Sequence, residues 1–173
     1  MSQNTLVTYA SHAGSTAEIA EVISKTLSRD GVHVELLPLQ DVKSLSRYSA
    51  VVIGSPIRNS KWSPEALKFI RDHQAELSHK RVATFTVCIT LAMSGGERYR
   101  DAVRQWIAPV HAWVRPVSEG FFAGRLDFKK LPLTFETLKL RLVVAFGVFP
   151  KDDRRDWKAV RAWADSIYPL LIP

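Results

Sequence analysis

Hydrophobic residues along this chain form short continuous runs that alternate with stretches of helical periodicity. Five runs have the length and the β-branched or aromatic content of buried strands. They lie at 4–10, 32–39, 50–55, 81–89 and 117–124. Elsewhere apolar residues recur at three- and four-residue spacing, which predicts amphipathic helices at 15–29, 63–77, 97–114 and 153–170. Pro109 falls inside the third helix and predicts a kink or break there.

The order of these elements predicts a doubly wound α/β fold. Strands that alternate with helices form a parallel sheet with helices on both faces and right-handed crossovers. A length of 173 residues suits one domain spanning 1–173, and no repeat or linker divides the chain. Because ligands of such sheets bind at the carboxyl ends of the strands, the loops that follow the strands are the candidate functional segments.

The first of these loops reads "SHAGST" at 11–16 and has two interpretations. Unpaired backbone N–H groups and the helix dipole at the start of the next helix would accommodate a phosphate, and Gly14 permits close approach. Alternatively, Ser15 and Glu18 form an S-x-x-E capping box that the helix uses for itself. The loop has neither the dinucleotide fingerprint G-x-G-x-x-G nor the Gly-Lys-Ser/Thr of a nucleoside-triphosphate loop. A phosphoacceptor receiver is excluded because the third strand ends in "VVIGS", without an Asp.

Charge and composition limit the kinds of partner and site that this chain is expected to have. The formal charge of +7 and pI near 9.8 would suit nucleic acid, anionic lipid, an acidic small molecule, or solubility alone. No nucleic-acid-binding motif occurs, so we expect no nucleic-acid partner. The single Cys88 rules out an internal disulfide, and the scattered His residues predict no metal site. The N-terminus lacks a secretory signal and no run reaches about 18 apolar residues, so we expect a cytoplasmic protein.

The segment 125–150 interrupts the alternation of strands and helices. It combines an apolar helical face with basic neighbours, and two interpretations stay open. Either a helix packs over the sheet edge with a solvated basic rim, or the segment meets an anionic membrane surface or an apolar acidic substrate. The basic residues are Lys129, Lys130, Lys139, Arg141, Lys151, Arg154 and Arg155.

The loops after three strands together resemble those of the flavodoxin family. They contain "SHAGST", "GSPIRNSKW" and "CITLAMSGGE". The stretches "YASHAGSTAEIA", "YSAVVIGSPIRNSKW" and "FAGRLDFKKL…RDWKAVRAWA" are similar to flavodoxin-type protoporphyrinogen dehydrogenases and related flavodoxin-domain proteins. The resemblance covers nearly the whole chain, including 125–150. It implies a five-stranded parallel sheet of order 2-1-3-4-5 and a bound flavin mononucleotide (FMN).

The resemblance also implies which residues hold this cofactor. In the first loop the phosphate would bind Ser11, His12, Gly14, Ser15 and Thr16. The second loop would approach the isoalloxazine ring through Ser55, Pro56, Ile57, Arg58, Asn59 and Trp62. The third loop would close the other side with Cys88, Ile89, Thr90, Leu91, Gly95 and Gly96.

Several of these side chains have a second interpretation. Trp62 either stacks on the flavin or packs in the core, and Arg58 either lies near the flavin or is solvated. Cys88, at the end of a buried strand, fits packing better than redox chemistry, and His12 fits a surface position better than a catalytic one. The third loop, unlike that of many electron-carrying flavodoxins, offers no aromatic residue between 88 and 96.

The leading functional hypothesis is an FMN-dependent oxidoreductase that oxidises protoporphyrinogen and passes electrons to a quinone. Its chemistry would reside in the flavin, so no catalytic triad is required. One alternative is a non-enzymatic electron carrier that serves redox partner proteins, although the net charge has the opposite sign from that of usual acidic flavodoxins. The other is a flavin-free interaction module. Any membrane contact would be peripheral, through 125–150.

Overall fold

A computed structural model describes residues 4–125 and 153–172 of the chain. The predicted insertion at 125–150 therefore lies outside the described residues, apart from Arg125. The strands are β1 (Asn4–Tyr9), β2 (His33–Pro38), β3 (Ala50–Arg58), β4 (Lys61–Trp62), β5 (Arg81–Cys88) and β6 (Ser118–Ala123). The α-helices are α1 (Ser15–Leu27), α2 (Pro64–Asp72), α3 (Gln74–Leu77), α4 (Arg100–Ile107) and α5 (Trp157–Leu171).

The sheet confirms the predicted architecture. Its strands lie in the order β2-β1-β3-β5-β6, and each neighbouring pair is parallel. The two-residue β4 lies off this path and pairs antiparallel with β3. Numbered without β4, the order is the predicted 2-1-3-4-5, and the central position of β1 places the loop that follows it beside the loop that follows β3.

Helices cover both faces of the sheet, which explains the continuous apolar runs of the strands. One core cluster joins Leu6, Val51 and Ile53 to side chains of α2 and α4. A second cluster on the other face joins Val7, Val52 and Phe85 to α1 and α5. Alternate residues of a strand thus enter opposite cores. The central strands β1, β3 and β5 therefore lack the alternation of apolar and polar residues that a half-exposed strand shows.

A hairpin at the end of β3 differs from the sequence-based expectation. The strand was expected to end at residue 55, but it continues to Arg58 and returns as β4. The two residues of the turn have positive φ, 48° at Asn59 and 58° at Ser60. This left-handed pair matches the twist of the flanking strands in a two-residue hairpin, and Asn tolerates the conformation better than most residues.

The helices are shorter than the apolar periodicity predicted. The stretch 63–77 divides at His73, and 97–114 divides into Gly96–Tyr99 (3₁₀), α4 and Ala108–Ala112 (3₁₀). Pro109 lies in the last of these pieces, so the predicted break is confirmed. Within the described residues, no helix is both long enough and apolar enough to cross a bilayer.

Gly54 in the middle of the sheet provides a test of this packing. A Cβ atom at Gly54 would collide with the ring of Phe85, which is fully buried against Phe122 and Trp163. We expect Gly54→Ala to lower the free energy of unfolding by about 1–3 kcal/mol through overpacking, measured by urea denaturation. The same substitution in a Phe85→Leu background should lower the free energy of unfolding by less, because the obstructing ring is gone. Equal costs in both backgrounds would contradict the packing argument.

Candidate functional site

Three loops meet at one edge of the sheet because β1, β3 and β5 are adjacent and parallel. The Ala10 N–H donates to the Gly54 carbonyl at 3.0 Å, and Pro56 lies opposite Val87 in the register of β3 and β5. The structure therefore brings the three predicted groups of site residues, from 11–16, 55–62 and 88–96, to the same edge.

The first loop leads into α1 without a side-chain cap. Gly14 occupies the N-cap position with φ 86°, and among the described residues no side chain caps the N–H groups of the first turn. The positive φ is one that glycine adopts without strain. The start of this 13-residue helix consequently presents backbone donors and the positive end of the helix dipole to the loop.

The capping-box interpretation is wrong for this structure. The helix begins one residue earlier than the S-x-x-E pattern requires, so Ser15 is its first residue rather than its N-cap. The Ser15 hydroxyl accepts a hydrogen bond from the Arg125 N–H at 3.0 Å. The Glu18 carboxylate accepts one from the Arg155 guanidinium at 2.6 Å. Both side chains of the expected box are thus directed away from the first-turn N–H groups.

A buried hydroxyl in the same loop is consistent with a polar ligand. Ser11 Oγ is inaccessible to solvent and has no hydrogen-bond partner among the described residues. An unpaired buried hydroxyl costs stability unless something satisfies it. Together with the uncapped helix start and Gly14, it forms a set of neutral donors of the kind that holds a phosphate, so these residues fit the phosphate of FMN.

A charged cluster lies on the other side of the first turn of α1. The Arg155 side chain is 3% exposed and donates to both carboxylate oxygens of Asp153, at 2.8 and 2.6 Å. Its guanidinium also lies 4.4 Å from the centre of the Trp157 ring. Hydrogen bonds from Arg155 hold the pKa of the Asp153 carboxyl at about 2, despite the opposing effect of desolvation. Both interpretations of the basic residues placed Arg155 at the surface, either in a solvated rim or against a membrane or acidic substrate, whereas the structure buries it.

The end of β6 also joins this corner. The Gly124 N–H donates to the Cys88 carbonyl at 3.1 Å, and the next residue, Arg125, donates its N–H to Ser15. The Arg125 guanidinium is 3.7 Å from Asp153. The first turn of α1 is therefore supported by Arg125, the last residue of the first described range, and by Asp153 and Arg155 at the start of the second.

His12 links the first loop to the N-terminus of α2. Its Nε2 lies 3.7 Å from Oε2 of Glu65. The pKa of the Glu65 carboxyl is lowered, first by a hydrogen bond with its own backbone N–H and then by Ser63, His12 and Arg58, while desolvation acts in the opposite direction. Glu65 is thus a site neighbour that sequence reasoning missed, since nothing in its position along the chain pointed to His12.

The hairpin after β3 divides the predicted second-loop residues into two groups. Ser55 is fully buried, and its hydroxyl accepts from the Ser63 N–H and donates to the Pro56 carbonyl, both at 3.0 Å. It anchors the base of the hairpin. Ile57 is half-buried against the core, whereas Arg58 and Asn59 are exposed at the tip.

Trp62 packs inside the protein. Its side chain is 1% exposed, and its indole N–H donates to the Thr86 hydroxyl at 2.9 Å. A ring held in this way is not available for stacking on a ligand. The packing interpretation of Trp62 therefore replaces the stacking one.

The third loop is partly explained by its own packing. Cys88 is buried, whereas Ile89, Thr90 and Leu91 are half-buried in a 3₁₀ turn. The remaining two predicted residues, Gly95 and Gly96, follow this turn. Gly95 has φ 69°, and a Cβ at Gly96 would collide with the Leu91 carbonyl. Both glycines are accounted for by the shape of the loop.

In the part of the chain that the structure describes, no group of three or more His, Cys, Asp and Glu side chains could hold a metal ion.

Comparison with known proteins agrees with this architecture. A family model for the flavodoxin domain matches residues 6–149. Protoporphyrinogen IX dehydrogenase [quinone] from Leishmania major is 24% identical over 179 residues, which cover 97% of this chain and 77% of that protein.

Two solved structures illustrate the shared fold. A short-chain flavodoxin associated with a non-canonical PDU bacterial microcompartment has a TM-score of 0.60 at 15% identity, covering 98% of this chain and 99% of its own. A flavodoxin from Fusobacterium nucleatum bound to flavin mononucleotide has a TM-score of 0.55 at 14% identity, with coverage of 98% and 99%.

The burial of Trp62 leads to a prediction that separates packing from ligand contact. Trp62→Phe removes the indole donor and leaves the Thr86 hydroxyl unpaired, so the free energy of unfolding should fall by about 2–4 kcal/mol. FMN affinity of the folded variant, measured by fluorescence titration, should change by less than roughly threefold. Trp106→Phe, on the partly exposed side of α4, is the matched control. An affinity loss above about tenfold with unaltered stability would show that the ring contacts the ligand.

Proposed function

This chain belongs to the flavodoxin domain family, and we propose that it binds FMN at the edge of the sheet where the three loops meet. The observation that carries the proposal is the start of α1, which is uncapped, preceded by Gly14 in a left-handed conformation and adjacent to the unpaired Ser11 hydroxyl. The FMN complex of the Fusobacterium nucleatum flavodoxin supports the identity of the ligand.

The phosphate would be held by Ser11, His12, Gly14, Ser15 and Thr16. The backbone donors of this loop are preoriented, and a dianion needs no lysine or arginine where such donors converge. Ser15 would contribute its backbone N–H, and its hydroxyl, which accepts from the Arg125 N–H, keeps its own proton to donate. Thr16 is 2% exposed, so its side chain would lie beneath the phosphate as part of the floor of the site.

The isoalloxazine ring would lie between the hairpin and the third loop. One side would be formed by Pro56, Ile57, Arg58 and Asn59, and the other by Ile89, Thr90, Leu91 and Gly95. Ser55, Trp62, Cys88 and Gly96 support these segments from below, since their side chains or backbone are buried. When bound, the flavin supplies the redox chemistry, and the protein orients it and tunes its electronics.

Ser11→Ala tests the phosphate site with opposite effects on stability and binding. Removing an unpaired buried hydroxyl should leave the apoprotein as stable as the wild type or slightly more so. The same change should weaken FMN binding about 10- to 100-fold, because a hydrogen bond to a charged group is lost. Riboflavin, which lacks the phosphate, should bind both proteins equally in isothermal titration calorimetry.

Thr5→Val is the control for this experiment. Thr5 also has a buried unpaired hydroxyl, but it lies near the start of β1, far along the strand from the loop. Its substitution should raise stability and leave FMN affinity unaltered. A wild-type protein that binds FMN no better than riboflavin would remove the phosphate-site proposal.

For the reaction, we propose oxidation of a porphyrinogen with a quinone as electron acceptor. The Leishmania major relative, whose name gives this activity, supports the proposal along 97% of the chain. The net charge of +7 and the exposed Arg58 and Lys61 beside the site also favour an acidic substrate.

Turnover under anaerobic conditions tests the reaction. The purified holoprotein with protoporphyrinogen and a menaquinone analogue should form porphyrin, followed by its fluorescence, faster than an equal concentration of free FMN. Arg58→Gln combined with Lys61→Gln should raise KM for the porphyrinogen roughly threefold to tenfold by removing two attractive charges. Lys68→Gln, an exposed change on α2, should leave KM as it is.

Absence of turnover above free FMN would refute the enzymatic proposal. If the bound flavin were nevertheless reduced rapidly by a flavodoxin reductase, the chain would instead act as an electron carrier.

A further inference from the structure

Glu18 poses a problem for an anion site at the start of α1. It stands in the first turn, where a carboxylate is normally attracted to the helix N-terminus and can accept from its free N–H groups. With Ser15 it has the sequence of a capping box. A helix that closed this box would occupy an N–H group needed by a phosphate and would add a negative charge beside it.

In the structure the Glu18 carboxylate is bound instead by the buried Arg155. Its Nη1 is 2.6 Å from Glu18 Oε2, and its Nε and Nη2 bind Asp153 in bidentate fashion. The Arg155 side chain is 3% exposed, whereas those of Glu18 and Asp153 are 38% and 31% exposed, so these charge-assisted hydrogen bonds are shielded from solvent on the arginine side only. The Trp157 ring beneath the guanidinium restricts its orientation further.

The Ser15 side chain is held away from the box by a separate contact. Its hydroxyl accepts from the Arg125 N–H, and the Arg125 guanidinium approaches Asp153, the same carboxylate that binds Arg155. Within the described residues of this corner, the positive Arg125 and Arg155 lie against the negative Glu18 and Asp153. The two arginines therefore reduce the repulsion that the carboxylates exert on an anion.

We propose that Arg155 is a positioning residue for the cofactor phosphate. It holds Glu18 outside the helix start and neutralises its charge, and so it favours the helix with Gly14 at its N-cap over a self-capped helix with Ser15 at its N-cap. This inference rests on the proposed FMN site and concerns how that site is kept open, since Arg155 itself acts through Glu18.

The experiment compares FMN with riboflavin in four proteins: wild type, Arg155→Gln, Glu18→Gln and the double variant. The dissociation constant of riboflavin divided by that of FMN isolates the contribution of the phosphate, and this ratio falls when phosphate binding is weakened. In Arg155→Gln this ratio should fall roughly tenfold, because Arg155 no longer neutralises the Glu18 carboxylate, which then repels the anion. Adding Glu18→Gln should restore the ratio to near the wild-type value.

A purely structural role would give a different pattern. It would weaken both ligands together, leave the ratio unaffected, and show no rescue by Glu18→Gln. If Arg155→Gln does not fold, Arg155→Lys serves in its place, because it keeps the charge but loses the bidentate geometry. Its ratio should fall about threefold and recover with Glu18→Gln, and an unaffected ratio would overturn the inference.

Arg29→Gln is the matched control because Arg29 joins the same two helices at their other end. It binds Asp165 at 2.6 Å and lies 4.1 Å from the Tyr168 ring centre. Its loss should reduce stability without altering the ratio. Failure of the wild type to prefer FMN over riboflavin would refute the FMN site and this inference with it. If the wild type prefers FMN and Arg155→Gln has the same ratio as the wild type, this inference alone is refuted and the FMN site stands.

Discussion

The arrangement of the site depends on the backbone N–H groups at the start of α1 having no side-chain cap. A helix of this length leaves several first-turn donors without internal partners, and most helices satisfy them with a capping side chain. Here Gly14 turns the chain into the helix without supplying one, and the neighbouring hydroxyl and carboxylate are bound elsewhere. The corner consequently remains able to receive an anion, and the parallel sheet sets the other two loops around it.

The supporting contacts come from distant parts of the sequence. Ser15 is held by Arg125, which lies 110 positions further along the chain, and Glu18 is held by Arg155, 137 positions away. The second loop is fixed by the buried Ser55 and by the indole of Trp62, and neither side chain is free to contact a ligand. The residues that were expected to touch the cofactor therefore divide into those that are exposed or half-buried in the loops and those, such as Ser55 and Trp62, that are buried behind them.

The fold could be predicted because its signals are local and repeated. Continuous apolar runs indicated strands buried on both faces, and the spacing between them indicated helices. The hairpin at Asn59 and Ser60 was missed because its strand is two residues long and leaves no periodic pattern. The capping box was a reasonable local inference that failed because tertiary contacts directed Ser15 and Glu18 elsewhere. Arg155 was assigned to solvent because a run of charges along the sequence does not reveal which one enters a carboxylate pair.

The structure indicates that this corner gives up local stability to keep its donors available. A helix start with Gly at its N-cap costs only about a few tenths of a kcal/mol relative to a good cap, whereas an unpaired buried hydroxyl such as that of Ser11 costs about 1–3 kcal/mol. A buried ion cluster does not by itself offset these costs, because desolvation of its members opposes their attraction. The more consistent explanation is that Arg155, Asp153 and Arg125 select one conformation of the helix start over its self-capped alternative. Binding energy from a ligand that satisfies the free donors would then stabilise the whole corner.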